Sequence, residues 1–445
     1  MGMWSKAAEM AAKAPPERNR YVDFLRALSI MAVVTGHWLV AAPAIAPDGT
    51  VSGGHLLGIL PWTQWLTWGF QVMPLFFLVG GFSNGVSWAA NQRAGRSFSD
   101  WYGGRLQRLI NPVMPLFLVW SVFALSGTAL GIERDVVKMA AQLALVPVWF
   151  LAVYLIVSAM VPLSHAAWRR WGMASFWGLV GGAVLVDYLS IAQHVPAVNW
   201  LNFLFVWLAI HQLGYAWSDG RLANRGKALA LGLGGLTVLS ALVRFGPYPV
   251  AMIGVPGSEL SNSMPPTLAL LALGITQAGL ALSLEVPMRR LLDRAGLWTA
   301  TVLMNGMIMT VYLWHLTAFV LVVVAAWLLG GPGLHVAPGS SVWWLSRPLW
   351  FGLYIATLLP LIALFARFER MGSKAGKGEL KQVAHWRLFL GLALICLGLT
   401  LTAAISIASP EGVTGLRLWV VALPFVGAGL VGFGPGYTLA RRFGG

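Results

Sequence analysis

Twelve apolar segments, most of them near the roughly 20 residues that cross a bilayer as a helix, leave this 445-residue chain little choice of fold. They run approximately over 22–44, 65–90, 109–130, 147–165, 174–191, 199–218, 227–245, 265–284, 298–329, 346–366, 386–408 and 416–439. The chain is 58% hydrophobic and 10% charged, a balance that excludes a soluble domain of this size. Its 23 Trp suit anchoring at the two membrane interfaces. The expected fold is all-α, a polytopic membrane protein of about twelve helices arranged as a ten-helix core plus two C-terminal helices. The ninth segment is the longest and is expected to tilt or to extend past the bilayer.

Charge sets the orientation. With the N-terminus in the cytoplasm, all but five of the 30 Lys and Arg fall on the inner side, the exceptions being Arg134, Lys138, Arg244, Arg347 and Arg417. Both ends are therefore expected in the cytoplasm, in the cell inner membrane. The formal charge of +15 is then mostly a topology signal and gives no reason to expect nucleic acid. Cys396 is the single cysteine, which excludes an intramolecular disulfide and a multi-cysteine metal site. Residues 1–19 lack the apolar core of a signal peptide and read as a cytoplasmic tail. Residues 20–366 form the membrane core, 367–387 a Gly/Lys-rich cytoplasmic linker, and 388–445 two further helices with a short tail.

The first span carries three ionisable side chains where a helix in lipid should carry none: Asp23, Arg26 and His37. At about 100° per residue, Arg26 and His37 lie within roughly 20° of one face, and His37 is about 16 Å deeper. Asp23 neighbours Arg26 on that surface. It is about 21 Å from His37, so it is expected to pair with Arg26 rather than to orient the imidazole. Ionisable groups inside a membrane are costly and mark functional sites. At the inner mouth of the third span, Arg105 and Arg108 share one helix face and present forked donors suited to phosphate. Further polar groups stand inside spans. Asp187 lies near the outer end of the fifth, Asn305 in the ninth, and Tyr312 and His315 three apart on one face of the ninth. Glu285 is expected to pair with Arg289, and His211 to be a packing histidine.

Arg26-x10-His37 followed by Arg105-x2-Arg108 resembles the acyltransferase-3 family of integral membrane acyltransferases. Asp23-Phe-Leu-Arg26-Ala-Leu resembles that family's opening signature. Pro74-Leu-Phe-Phe-Leu-Val-Gly-Gly-Phe-Ser is similar to its second-helix motif, Val148-Trp149-Phe-Leu to its fourth, and Tyr312-Leu-Trp-His315 to its late Tyr-Leu-x-His. These matches come in family order over residues 20–366. The sequence departs from the pattern at Val79-Gly80-Gly81-Phe82, where Ile-Ser-Gly is more usual, and it shows no extracytoplasmic esterase-like domain.

The resemblance implies transfer of an acyl group, often acetyl, from cytoplasmic acyl-CoA as co-substrate, with no permanently bound cofactor and no metal. The acceptor would be a hydroxyl of an extracytoplasmic sugar, glycolipid or envelope polymer, with a separate extracytoplasmic protein as an optional partner. It implies that His37 is the catalytic histidine, with Arg26 as its motif partner, and that Arg105 and Arg108 belong to the coenzyme A site; Asp23, paired with Arg26, completes the candidate catalytic set. Trp149, Asp187, Asn305, Tyr312 and His315 are the candidates for contact with substrate. Twelve spans with both ends inside is also the layout of a secondary transporter or flippase. Paired interrupted helices in two related halves, which would mark that class, are not evident in the sequence.

Overall fold

The computed structural model describes residues 2–15, 18–46, 49–375, 383–411 and 414–434. Helices follow one another along the chain: α1 (Met3–Ala12), α2 (Arg20–Val40), α3 (Met73–Arg93), α4 (Phe98–Ile110), α5 (Val113–Ala129), α6 (Arg134–Leu145), α7 (Val148–Ala159), α8 (Val161–Trp171), α9 (Met173–Asp187) and α10 (Asn202–Ser218). Then come α11 (Arg225–Phe245), α12 (Leu268–Ser283), α13 (Glu285–Leu291), α14 (Ala295–Asn305), α15 (Ile308–Leu328), α16 (Ser341–Ala375), α17 (His385–Ile405) and α18 (Leu418–Val431). Between α2 and α3 lie a small antiparallel hairpin, β1 (Ala41–Ile45) with β2 (Val51–His55), and short helical turns. The protein is an all-α polytopic membrane protein. Among the described residues nine helical stretches are long and apolar enough to span a bilayer, ten when α12 and α13, bent by 54°, count as one. All twelve apolar segments contain a helix. The α10 helix, at 17 residues, and α18, at 14, lie outside those stretches; the end of the last segment, beyond 434, lies outside the described residues.

Local chemistry explains where the helices start and stop. The Asn19 side chain accepts from the backbone N–H of Tyr21 and Val22, which starts α2. Ser97 and Asp100 form a capping box at α4. Pro147, at the start of the fourth segment, separates α6 from α7, because proline offers no backbone donor there. The ninth segment is not one long helix. It breaks between α14 and α15, and the first N–H groups of α15 are satisfied from another helix: the Glu369 carboxylate accepts from Met309 N, Thr310 N and the Thr310 hydroxyl. The N-terminal tail also has structure. On α1 the small residues Ala7 and Ala11 are buried, and Trp298 of α14 donates its indole N–H to Ala11 O.

Centrality follows burial. In α15 78% of the apolar window is inside the protein, against 22% in α9 and in α11. Around α15 stand α2, α6 and α16, with α2 also packed on α3 and α14. The contact of α3 with α10 is close enough that a Cβ at Gly81 would overlap the His211 carbonyl, and one at Gly214 would overlap backbone of α3. Small residues allow such an approach in a membrane bundle, and they explain the glycine at position 81. The last two helices pair with each other, and α17 docks on α7, where Cys396 Sγ sits 3.7 Å from Ala152 O.

Candidate active site

Along α2 the polar stripe divides into two stations. At the first, the Asp23 carboxylate accepts from Arg18 Nε at 2.6 Å and from Arg26 Nη1 at 3.1 Å. The other arm of Arg26 reaches Ser83 Oγ on α3 at 3.1 Å. Asn305, the last residue of α14, donates from Nδ2 to the Asp23 carbonyl and to Thr301 O, each at 2.9 Å. Asp23 and Arg26 thus form an ion pair, and Asn305 bridges helices at the same level.

The second station lies three helical turns further on. His37 Nδ1 stands 2.8 Å from His315 Nε2, with the two rings 8° from parallel. His315 Nδ1 in turn stands 2.6 Å from the Tyr312 carbonyl. A carbonyl oxygen only accepts, so His315 carries its proton on Nδ1. With one proton per ring, His315 Nε2 is then an acceptor, and the N–H in the shared bond belongs to His37 Nδ1. The remaining nitrogen, His37 Nε2, is left with a lone pair and no partner among the described residues. His315 is fully buried, while His37 keeps partial exposure. The neighbouring Trp38 locks the register of α2 against α15 by donating from its indole to His315 O at 3.0 Å.

Tyr312 does not project a free hydroxyl. Its OH donates to Pro147 O at 2.6 Å, which fixes α15 against the break between α6 and α7, two residues from Trp149. Trp149 is partly buried and packs against Phe150. Tyr312, His315, His37 and the Trp149 turn therefore meet around α15. Asp187 belongs elsewhere. Its carboxylate accepts from Asn202 Nδ2, Tyr248 OH and Leu268 N, at 2.7, 2.8 and 2.8 Å, and so ties α9 to α10, to the loop after α11 and to the start of α12.

The two arginines of α4 differ. Arg105 donates from Nε and Nη2 to Asn84 Oδ1 and from Nη2 to Ser87 Oγ at 2.7 Å, and its guanidinium lies 4.2 Å over the Trp101 ring. Arg108 is exposed. Arg26 and Arg108 both lie within electrostatic range of Arg105, so three guanidinium groups share this end of the bundle with the Asp23 carboxylate. Because Arg105 can only donate, Asn84 turns its oxygen toward Arg105 and its amide toward His211 Nε2, 3.1 Å away. His211 is thus a fully buried link between α10 and α3. The residues that sequence reading passed over are Ser83, Asn84 and Ser87, which hold Arg26 and Arg105 from α3. Their signal was a polar run, Ser83-Asn84, with Ser87 one turn on, inside an apolar span. Glu285 pairs with Arg289 at 2.6 Å.

A family model described as an acyltransferase domain matches residues 19–367. No curated protein and no solved structure gives a match. The matched region takes in both stations of α2, the arginines of α4 and the central helix α15. The chain belongs to the acyltransferase-3 family of membrane acyltransferases.

Proposed function

We propose that the protein is an O-acyltransferase that moves an acyl group, in the simplest case acetyl, from acyl-CoA on the inner side of the membrane to a hydroxyl of a glycan or glycolipid on the outer side, with His37 as general base. The observation that carries this reading is the chain Tyr312 C=O, His315, His37, which leaves His37 Nε2 as a free base. That nitrogen takes the proton of the acceptor hydroxyl. The oxygen attacks the thioester carbonyl, the C–S bond breaks, and the thiolate leaves and takes up the proton. General bases contribute about 10²–10⁴ in rate.

Donor binding fits the other station. The phosphates of coenzyme A cannot enter the bilayer, but its long thin arm can. Arg108, with its guanidinium exposed, and Arg26 and Arg105, oriented by Ser83, Asn84 and Ser87, favour anions at the basic end of the bundle. The rise of α2 separates Arg26 from His37 by about 16 Å, a span for the arm to bridge. The test is direct. Purified protein in liposomes is given labelled acetyl-CoA and a panel of glycolipids, and mass spectrometry reads the products. Label in an ester of the acceptor is expected. A protein that binds acetyl-CoA yet labels no hydroxyl compound from the envelope would overturn the reading.

A further inference from the structure

A cleft of 940 Å³ opens at the basic end of the protein, between α3, α8 and α10. It is on the far side of α3 from Arg105: Asn84 and Ser87 face that arginine, whereas Gly85, Val86, Ala89 and Arg93 line the cleft, and at 100° per residue the two faces point in roughly opposite directions. The cleft is therefore separate from the site for acyl transfer, and nothing in the proposed reaction uses it.

Its two main walls change character in the same way. On α3 the wall runs from Val86 and Ala89 to Arg93. On α8 it runs from Pro162 and Ala166 to Arg169 and Arg170. In each helix seven residues, about 10 Å, separate the apolar start from the cationic end. Val86 is 49% exposed, an apolar side chain left open on the cleft wall. The three arginines are exposed and make no salt bridge among the described residues. The acid in the cleft, Asp219, is held instead by the indole N–H of Trp168 at 2.8 Å. The lining thus offers a mainly apolar wall, interrupted by His165, that ends in three arginines against the single carboxylate of Asp219, a net positive charge.

We infer that this cleft binds an anionic phospholipid, with the phosphate between Arg93, Arg169 and Arg170 and an acyl chain along Val86, Ala89, Pro162 and Ala166. Basic pockets between membrane helices suit anionic headgroups in this way. A soluble phosphate compound would use the arginines and leave the apolar wall bare, so the two sources separate experimentally.

The experiment is native mass spectrometry on the full-length protein released from bilayers of equal phosphatidylglycerol and phosphatidylcholine. The wild type should retain phosphatidylglycerol selectively. The variant R93Q/R169Q/R170Q should lose that preference by about tenfold or more, three headgroup contacts being removed. Val86→Trp, which blocks the apolar wall and leaves every charge, should also shed the lipid, and it decides the matter if the triple variant does not fold. Retention of selective phosphatidylglycerol binding in Val86→Trp, or in a folded triple variant, would overturn the inference. Displacement of the lipid by excess coenzyme A or inorganic phosphate would overturn it too, and would assign the arginines to a soluble ligand. Acyl transfer is not the readout, so failure here leaves the reading of His37 untouched.

Discussion

In the proposed reaction the tautomer of His37 decides whether it can act as a base, and that tautomer is set by a backbone carbonyl two hydrogen bonds away. The Tyr312 carbonyl fixes His315, and His315 fixes His37. His37→Ala should therefore lower the transfer rate by about 10²–10⁴ while acyl-CoA still binds, as rate and binding measurements on the same preparation would check. His315→Phe should lower kcat more than it raises KM and should alter the pH profile, since the ring loses its acceptor and His37 is free to move its proton to the other nitrogen. An unchanged pH profile would reduce His315 to packing. Arg105 and Arg108 should also separate. Arg108→Gln should weaken acyl-CoA binding and its salt dependence without loss of stability. Arg105→Gln should weaken binding and also destabilise, because Asn84 and Ser87 lose their partner; calorimetry and thermal unfolding distinguish the two. The facing of Asp23, Arg26 and His37 was legible in the sequence because it is a property of one helix. Asn305 and His315 stood out as polar groups inside a span, but that they and Ser83 would be the partners was not legible, because the pairing of α2 with α3, α14 and α15 is long-range and leaves no local spacing to read.

The elements explain why the two stations stay in register. The α15 helix can begin in mid-protein because Glu369 supplies acceptors for its first N–H groups. Glu369→Ala should cost about 1–3 kcal/mol, the price of buried donors left unpaired, and should lower the temperature of unfolding. The contact of α3 with α10 depends on the absence of a side chain at 81. Gly81→Leu should force the helices apart, destabilise by about 1–3 kcal/mol or more and disturb the Asn84–His211 bond, again readable by thermal unfolding. Apolar length located all twelve segments, but it could not show that a further helix, α6, leads into the fourth across a break, or that the ninth is broken. Pro147 marked the first break. The second depends on a carboxylate some sixty residues later in the chain, which no window of hydropathy contains.

For the whole molecule, the separation of basic residues along the sequence fits the placement of the two stations at different depths. Several residues that depart from it have local partners. Arg347 is buried between Trp343 and Trp350 and donates to Trp343 O. Arg417 donates to the carbonyls of Ile405 and Ser406. These arginines are spent on the fold, so they say little about orientation. The helices are interrupted at α6–α7, at α12–α13 and at α14–α15; the two related halves that would mark a transporter are not evident in the sequence. The pair α17–α18 lies beyond the matched region and braces α7. The central claim is that one helix, α2, links a donor site on the basic side to an acceptor site on the other. The most direct measurement uses sealed vesicles of defined orientation. Labelled acyl-CoA added to the basic face should acylate acceptor confined to the opposite compartment, and this should vanish with His37→Ala; acyl-CoA that works equally well from the other face, or acylated acceptor recovered only on the donor's side, would contradict the account.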